Sequence, residues 1–366
     1  MTAMESVEQR VSRLHREAII IDGHSDILMS VADGRLRLGD RPAIPSPVDW
    51  APPLGWQMPP MATLYGFSAH TAYFQTLGQY DMPRMLEGGL TAQAMAVYIG
   101  DEHVEVALHR ALEMVYWLRL DAAEHDAFTF ITSTSDFHKV KSAGGTGGFL
   151  TFEGFEPLGN DLKLLDLFYD LGLRMATLTH SRRNVWADGT LPGLRLGGLT
   201  ELGKNAIKRM TELGIVIDLA HLAYPGCEEV VAMTDVPLVL SHGSIPFMFR
   251  GGATPSGTAP GASDNDVRTL AEAIAKSGGV IGEIAFGHPT VKAMIDDIEA
   301  LVSWIGIDHV GLGSDFFGMD MAPAGYTSID QLPNVTRALV ERGFSDDDVL
   351  KILGGNFLRV FEAVWH

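Results

Sequence analysis

The chain has 366 residues, with 27 Lys+Arg against 46 Asp+Glu, a formal net charge of −19. A hydrophobic content of 46% belongs to a folded globular protein and not to a disordered one. The acidic excess argues against a nucleic-acid binder, which needs a basic face to displace counterions, and against docking on anionic membranes.

The N-terminal stretch carries Glu5, Glu8, Arg10, Arg13, Arg16 and Glu17. It lacks a basic segment followed by an apolar one, so it does not read as a signal peptide. No apolar run approaches the roughly 20 residues of a bilayer span. The expectation is a soluble, cytoplasmic protein. From residue 18 onward, a compact apolar run that stops on a polar residue recurs about eight times. The runs are 18–21 before Asp22-Gly23-His24, 92–99, 148–152 before Glu153, and 175–178 before Thr179-His180. They continue with 215–220 before His221, 237–240 before Ser241-His242, 280–286, and 310–313 before Ser314-Asp315. Short runs that are apolar throughout suit parallel strands buried on both faces.

Helical spacing fills the intervals at 104–120, 161–171, 200–213, 228–233, 264–276 and 291–305, and again at 329–342, 345–353 and 356–364. Thr200 and Gly214 read as the N-cap and C-terminal glycine of one of these helices. Strand–helix alternation repeated about eight times predicts a (β/α)8 barrel, an α/β fold of the TIM type. A doubly wound sheet is disfavoured, because no G-x-G-x-x-G opens a helix after the first strand. The expected organisation is one barrel domain over 1–366. Residues 34–83, rich in Pro and aromatics, form an insertion over one barrel mouth. The single cysteine, Cys227, cannot form an intrachain disulfide and reads as a small buried hydrophobe.

Reactive groups of such a barrel gather where the strands end. The polar residues that close the runs are His24, Asp26, Glu153, His180, His221, His242 and Asp315. Singly, each has a bland reading: a hydrogen-bonded packing histidine, a salt-bridged carboxylate, or a helix cap. Together they resemble a metal site more than a nucleophile triad. His24 and Asp26 lie two apart, and in an extended strand that spacing puts both on one side. His221 and His242 are separated by one helical crossover, which makes them neighbours on consecutive strands. Imidazole and carboxylate ligation with open positions suits zinc.

The ligand count gives His24, Asp26 and Glu153 for one ion, and Glu153, His221 and His242 for a second. Asp315 is left to carry a proton between water and a leaving amine. His180 is a candidate hydrogen-bond partner for a developing oxyanion, and Arg250 for a substrate carboxylate. His288 reads as a surface or packing residue.

These residues sit in motifs that resemble the membrane (renal) dipeptidase family of binuclear zinc peptidases. The matching segments are Asp22-Gly23-His24-Ser25-Asp26, Glu87-Gly88-Gly89-Leu90 through Gln93, Glu153-Gly154, Leu178-Thr179-His180, Trp186-Ala187-Asp188 and Gly198-Leu199-Thr200. Further along they are Ile217-Asp218-Leu219-Ala220-His221, Ser241-His242, Gly313-Ser314-Asp315-Phe316 and Gly355-Asn356-Phe357-Leu358-Arg359-Val360-Phe361. The resemblance implies two zinc ions bridged by Glu153 and held by His24, Asp26, His221 and His242. It implies Asp315 as acid/base, with His180 and Arg250 against substrate. It also implies a dipeptide substrate with tolerance of a D-residue on the C-terminal side, and a homodimer. In several places the chain departs from the family pattern. Glu153-Gly154-Phe155 replaces Glu-Gly-Gly, and Asp315-Phe316-Phe317-Gly318 replaces Asp-Phe-Asp-Gly. A Gly- and Pro-rich stretch at 251–261 follows Arg250, and 34–83 is enlarged.

Two other functions fit the same residues. One is a binuclear amidohydrolase acting on an N-acyl amino acid, a cyclic amide or a lactone. The other is a non-catalytic barrel that retains its metals.

Overall fold

The computed structural model describes residues 5–42, 51, 78–190, 197–243, 264–319 and 322–366. Most of the 34–83 segment and Arg250 lie outside the described residues. Each of the eight apolar runs overlaps a strand. The strands are β1 (Ile21–Ser25), β2 (Ala92–Tyr98), β4 (Thr146–Glu153), β5 (Leu173–Thr177), β6 (Val216–Ile217), β7 (Val239–Gly243), β8 (Val280–Glu283) and β9 (Val310–Leu312). All pair in parallel, in the order β6-β5-β4-β2-β1-β9-β8-β7. A parallel bridge between Asp218 and Val239 joins β6 to β7 and brings the two ends of that order together. The architecture is a nearly closed parallel eight-stranded barrel. A ninth strand, β3 (Phe128–Phe130), pairs with the start of β4. Three residues are too few to show a periodicity, and the sequence reading passed over it.

The helices follow their local signals. In chain order they begin with α1 (Val7–Glu17), α2 (Ile27–Ala32), α3 (Met82–Glu87), α4 (Ala107–Glu124), α5 (Thr134–Ala143) and α6 (Lys163–Asp170). They continue with α7 (Glu201–Leu213), α8 (Tyr224–Met233), α9 (Asp264–Lys276), α10 (Val291–Ile305), α11 (Leu332–Glu341), α12 (Asp346–Leu350) and α13 (Asn356–Val364). As read from the sequence, the Thr200 side chain accepts from Gly203 N–H at the start of α7, and Gly214 ends it in the left-handed region. Helix α8 starts four residues earlier than its pattern, at Tyr224, where Pro225 supplies a pre-set φ in the first turn. Helices α1 and α5 were not anticipated, although both open on a capping box, Ser6 with Gln9 and Ser133 with Asp136. No helix among the described residues is long and apolar enough to cross a membrane.

Two apolar layers hold the barrel. The larger packs strand residues such as Val97, Leu150, Phe152, Ile217, Ile281 and Leu312 against the surrounding helices. The smaller gathers Ala92, Ala94, Phe149, Met175, Val216, Val239 and Val280 with Phe357, Phe361 and Trp365 from the C-terminal segment. Phe361 stacks on Trp365 with ring centroids 4.7 Å apart. Alternation along a strand assigns these two sets to opposite faces of the sheet. The same alternation puts Glu153 on the side of Phe149, at the other end of β4. Cys227 is buried, as the sequence suggested.

Asn356 gives the Gly355–Phe361 motif a physical role. Its side-chain amide donates to the carbonyls of Ile307 and Val310, 2.8 Å each, and so ties α13 to the entry of β9. Replacing it with Ala leaves two carbonyls without this donor. Asn356→Ala is expected to cost about 1–3 kcal/mol, read as a lower urea midpoint with an unchanged slope.

Candidate metal centre

The sequence-predicted residues converge at the C-terminal ends of the strands. Glu153 is the last residue of β4 and His242 lies within β7. His180 follows β5, His221 follows β6 and Asp315 follows β9. His24 lies in β1, and Asp26 is the residue that opens α2.

The register of β1 against β2 is irregular between Asp22 and Ser25, and the chain leaves extended geometry at Asp26, with φ −92° and ψ 18°. His24 and Asp26, two apart at the end of β1, come together as their spacing suggested, with His24 Nε2 3.5 Å from Asp26 Oδ2. Gly23 fits between them and the opposite wall because it lacks a side chain. A Cβ there would lie 2.6 Å from the Ser241 carbonyl and 2.7 Å from the Phe357 ring.

Glu153 is the centre of the cluster. Its Oε1 lies 3.0 Å from His221 Nε2, 3.6 Å from His24 Nε2, 3.7 Å from His242 Nε2 and 3.9 Å from His180 Nε2. His221 Nε2 and His242 Nε2 are 2.9 Å apart. The His24 and His242 rings stack at 3.9 Å. Ser241 Oγ sits 2.9 Å from His242 Nδ1, which leaves Nε2 to face the cluster. Asp315 Oδ1 is 3.8 Å from His24 Nε2.

Three sets of donor atoms lie close enough to share a cation. They are His24–Asp26–Glu153, Glu153–His221–His242, and His24–His242–Asp315. The first two are the sets read from the sequence. The third shows Asp315 within reach of the same centre. All of these residues are buried. His24 Nε2 and Asp26 Oδ1 are buried without any hydrogen-bond partner. Buried polar atoms seldom go unsatisfied, and a cation would satisfy these, so the donor set fits a divalent metal.

Burial and mutual charge shift the side chains strongly. Burial pushes Glu153 well above the usual carboxylate range, and Asp26 beside it adds to the shift. Burial raises Asp315 to about 8, with the His24 ring opposing. Burial alone would lower His24, but the Glu153 and Asp26 carboxylates carry it to about 10. Burial lowers His180 to about 4, and takes His221 and His242 well below the ordinary histidine value. Neutral imidazoles can accept a cation, and a pair of carboxylates that resists double ionisation marks a site in need of one.

His221 and Asp315 have φ of 60° and 61°, in the left-handed region where side chains other than glycine are uncommon. Such strain is retained where the surroundings over-determine it, and here it sits on two site residues. Phe317, in place of the family's second Asp, is also left-handed at φ 71°, and Gln79 accepts its N–H.

Two features were missed from sequence. Tyr98 ends β2 with its ring 4.6 Å from that of His180, and burial with the Glu153 charge lifts its hydroxyl to about 12. It lies one residue before the end of the 92–99 run, where a polar group could have been noticed. The second is a buried set outside the centre, Glu283, His288 and Asp297. His288 Nε2 is 3.0 Å from Glu283 Oε1, so His288 is a packing residue, not a surface one.

The sequence profile described as membrane dipeptidase, peptidase family M19, matches residues 8–366. Dipeptidase aclJ of Aspergillus oryzae is 29% identical over 318 residues, which cover 81% of this chain and 72% of that protein. Dipeptidase tcpJ of Claviceps purpurea is 26% identical, over 78% of this chain and 69% of that protein. The crystal structure of dipeptidase AC, a metallopeptidase of family M19, superposes with a TM-score of 0.75 at 25% identity, covering 94% of this chain and 98% of that one. A metallopeptidase from Rhodobacter sphaeroides, solved with a phosphinate mimic of L-Ala-D-Ala, shares the fold with a TM-score of 0.74 at 23% identity, covering 94% of this chain and 99% of that one. A profile match from near the first described helix to the last residue, on a barrel whose strand ends carry the metal-binding residue types, makes this chain a member of the membrane dipeptidase family of metallopeptidases.

Proposed function

We propose that the chain hydrolyses the peptide bond of dipeptides with two divalent cations, and accepts a D-residue at the C-terminal position. The observation that carries this reading is the convergence of four imidazole nitrogens on Glu153 Oε1, between 3.0 and 3.9 Å, with His24 Nε2 and Asp26 Oδ1 buried and unpartnered. His24, Asp26 and Glu153 would hold one ion, and Glu153, His221 and His242 the other. Mixed imidazole and carboxylate ligation favours zinc. Ions bound there supply Lewis acidity toward a carbonyl oxygen and lower the pKa of water.

The protein's own groups do the rest. Asp315, beside His24, moves a proton from water to the leaving nitrogen through its carboxylate. His180 is the cluster's half-exposed member, with 27% of its side chain accessible, and it reaches substrate with a ring N–H aimed at the carbonyl oxygen. Packing against Tyr98 and His221, with centroids at 4.6 and 4.3 Å, holds that ring in place.

The test is a panel of free dipeptides with L- and D-residues at the C-terminal position, offered to zinc-loaded protein. Hydrolysis of L,L and L,D members is expected, and the Rhodobacter neighbour's L-Ala-D-Ala mimic makes that pair the first to try. No hydrolysis across the panel overturns the reading. Phe317 puts an apolar group where the family carries a carboxylate, which favours a second reading as an amidohydrolase of N-acylated substrates. N-acetylation of a cleaved dipeptide separates the two. Loss of turnover supports the dipeptidase, and gain supports the alternative.

A further inference from the structure

Four residues of the strand-end motifs are absent from the proposed ligand sets: Asp22, Asp218, Ser241 and Ser314. The structure places them in two matching arrangements. Asp22 Oδ1 accepts from His24 N–H at 3.1 Å and from Ser314 N–H at 2.9 Å, with the Gln93 side-chain amide at 3.2 Å. Asp218 Oδ1 accepts from Ala220 N–H at 3.0 Å and from Ser241 N–H at 2.9 Å. In each case one carboxylate oxygen holds its own strand end and also the serine just before a site residue on the next strand. Ser314 precedes Asp315, and Ser241 precedes His242. Both aspartates are buried.

The placement follows the weak points of the barrel. Other neighbouring strands share longer registers, from two residue pairs between β5 and β6 to six between β2 and β4. Between β1 and β9 the register has one pair, Asp22 with Leu312, followed only by an isolated bridge from Ser25 to Phe316. Between β6 and β7 there is one isolated bridge, Asp218 with Val239. These two seams are also where the site residues must be spaced across strands, His24 from Asp315 and His221 from His242. Each seam carries one left-handed site residue, Asp315 in one and His221 in the other.

We propose that Asp22 and Asp218 are a pair of positioning residues, each clasping one seam so that the two site residues across it keep their spacing. Asp22 sets the His24–Asp315 side of the centre, and Asp218 sets the His221–His242 side. The inference rests on the metal-centre reading above. What each clasp supplies is an acceptor at a fixed point, which an asparagine oxygen also supplies.

The experiment is a zinc titration of the metal-stripped full chain against a chelator of known affinity, with ligand variants as references. Asp218→Ala is expected to weaken one of two zinc equivalents by about 10–100-fold, in the pattern of His242→Ala, and to leave the other within about threefold. Asp22→Ala should weaken the other equivalent, in the pattern of Asp26→Ala. Asp22→Asn and Asp218→Asn should bind both equivalents within about threefold of wild type, since the acceptor remains. Ala variants that weaken both equivalents alike, or neither, overturn the proposal. Should the Ala variants fail to fold, the Asn variants decide: retention supports the clasp, and a loss of tenfold or more overturns it. A wild-type chain that takes up no zinc overturns the metal reading itself, whereas two equivalents bound normally by the Ala variants overturn the clasp alone.

Discussion

Glu153→Ala is expected to abolish dipeptide hydrolysis and the uptake of both ions while the barrel stays folded. Glu153 Oε1 lies within 4 Å of His24, His180, His221 and His242, and it belongs to both proposed ligand sets. Its removal therefore strips a ligand from each ion, whereas loss of His242 or Asp26 strips one set. The metal-free fold should tolerate the change. Asp26 and Asp315 both disfavour a charged Glu153 by repulsion, so its loss relieves strain while it leaves a cavity. Thermal unfolding with and without zinc makes the measurement. A ligand that binds only the folded state at about 100 times its dissociation constant adds roughly 2.7 kcal/mol per site. The wild type should show a clear upward shift of its midpoint with zinc, and Glu153→Ala none. Retention of two equivalents of metal after dialysis would remove Glu153 from its central place.

Asp315→Asn separates chemistry from binding. Asparagine keeps the shape and tolerates the left-handed backbone at φ 61°, so the loop should hold. The variant keeps an acceptor oxygen but cannot exchange a proton. A fall in kcat of about 10²–10⁴ is expected, with KM and metal content little changed. The third donor set, His24–His242–Asp315, gives the experiment a definite alternative. If Asp315→Asn loses zinc together with turnover, Asp315 is a ligand and not the proton carrier. Full activity in the variant would remove it from both roles.

Phe155 and Phe317 are the two aromatic departures from the motifs the chain resembles. Phe155 and Phe316 are both buried aromatics beside a site residue, Phe155 against Trp186 and Phe316 against Tyr326. Phe155 packs into the helix-facing core, two residues after Glu153. Phe317 removes a charge next to Asp315.

Much of this was legible in the sequence because it depends on local chemistry. A strand buried on both faces must be apolar throughout, so the eight barrel strands stood out as runs. A polar residue that closes such a run must face the barrel mouth, so His24, Glu153, His221, His242 and Asp315 could be named without coordinates. Thr200 and Gly214 bounded α7 because capping acts within one turn. Helices α1 and α5 had equally local signals in their capping boxes, and β3 was too short to have one.

The tertiary structure decided what depends on closure. Asp22 reaches Ser314 across 292 positions, and Asp218 reaches Ser241 across 23, and neither contact has a periodicity to announce it. The irregular register of β1 and the turn that begins at Asp26 had no signal in the apolar run. The left-handed backbones of His221 and Asp315 are strained conformations that no residue type signals. His288 found Glu283 only because the β8–α10 connection folds back into the barrel wall. Residue type and run length determined the strands, their order of alternation with helices, and the donor inventory. Register, closure and strain determined which atoms of that inventory meet, because those are set by hydrogen bonds between strands that the chain brings together only at the end of its circuit.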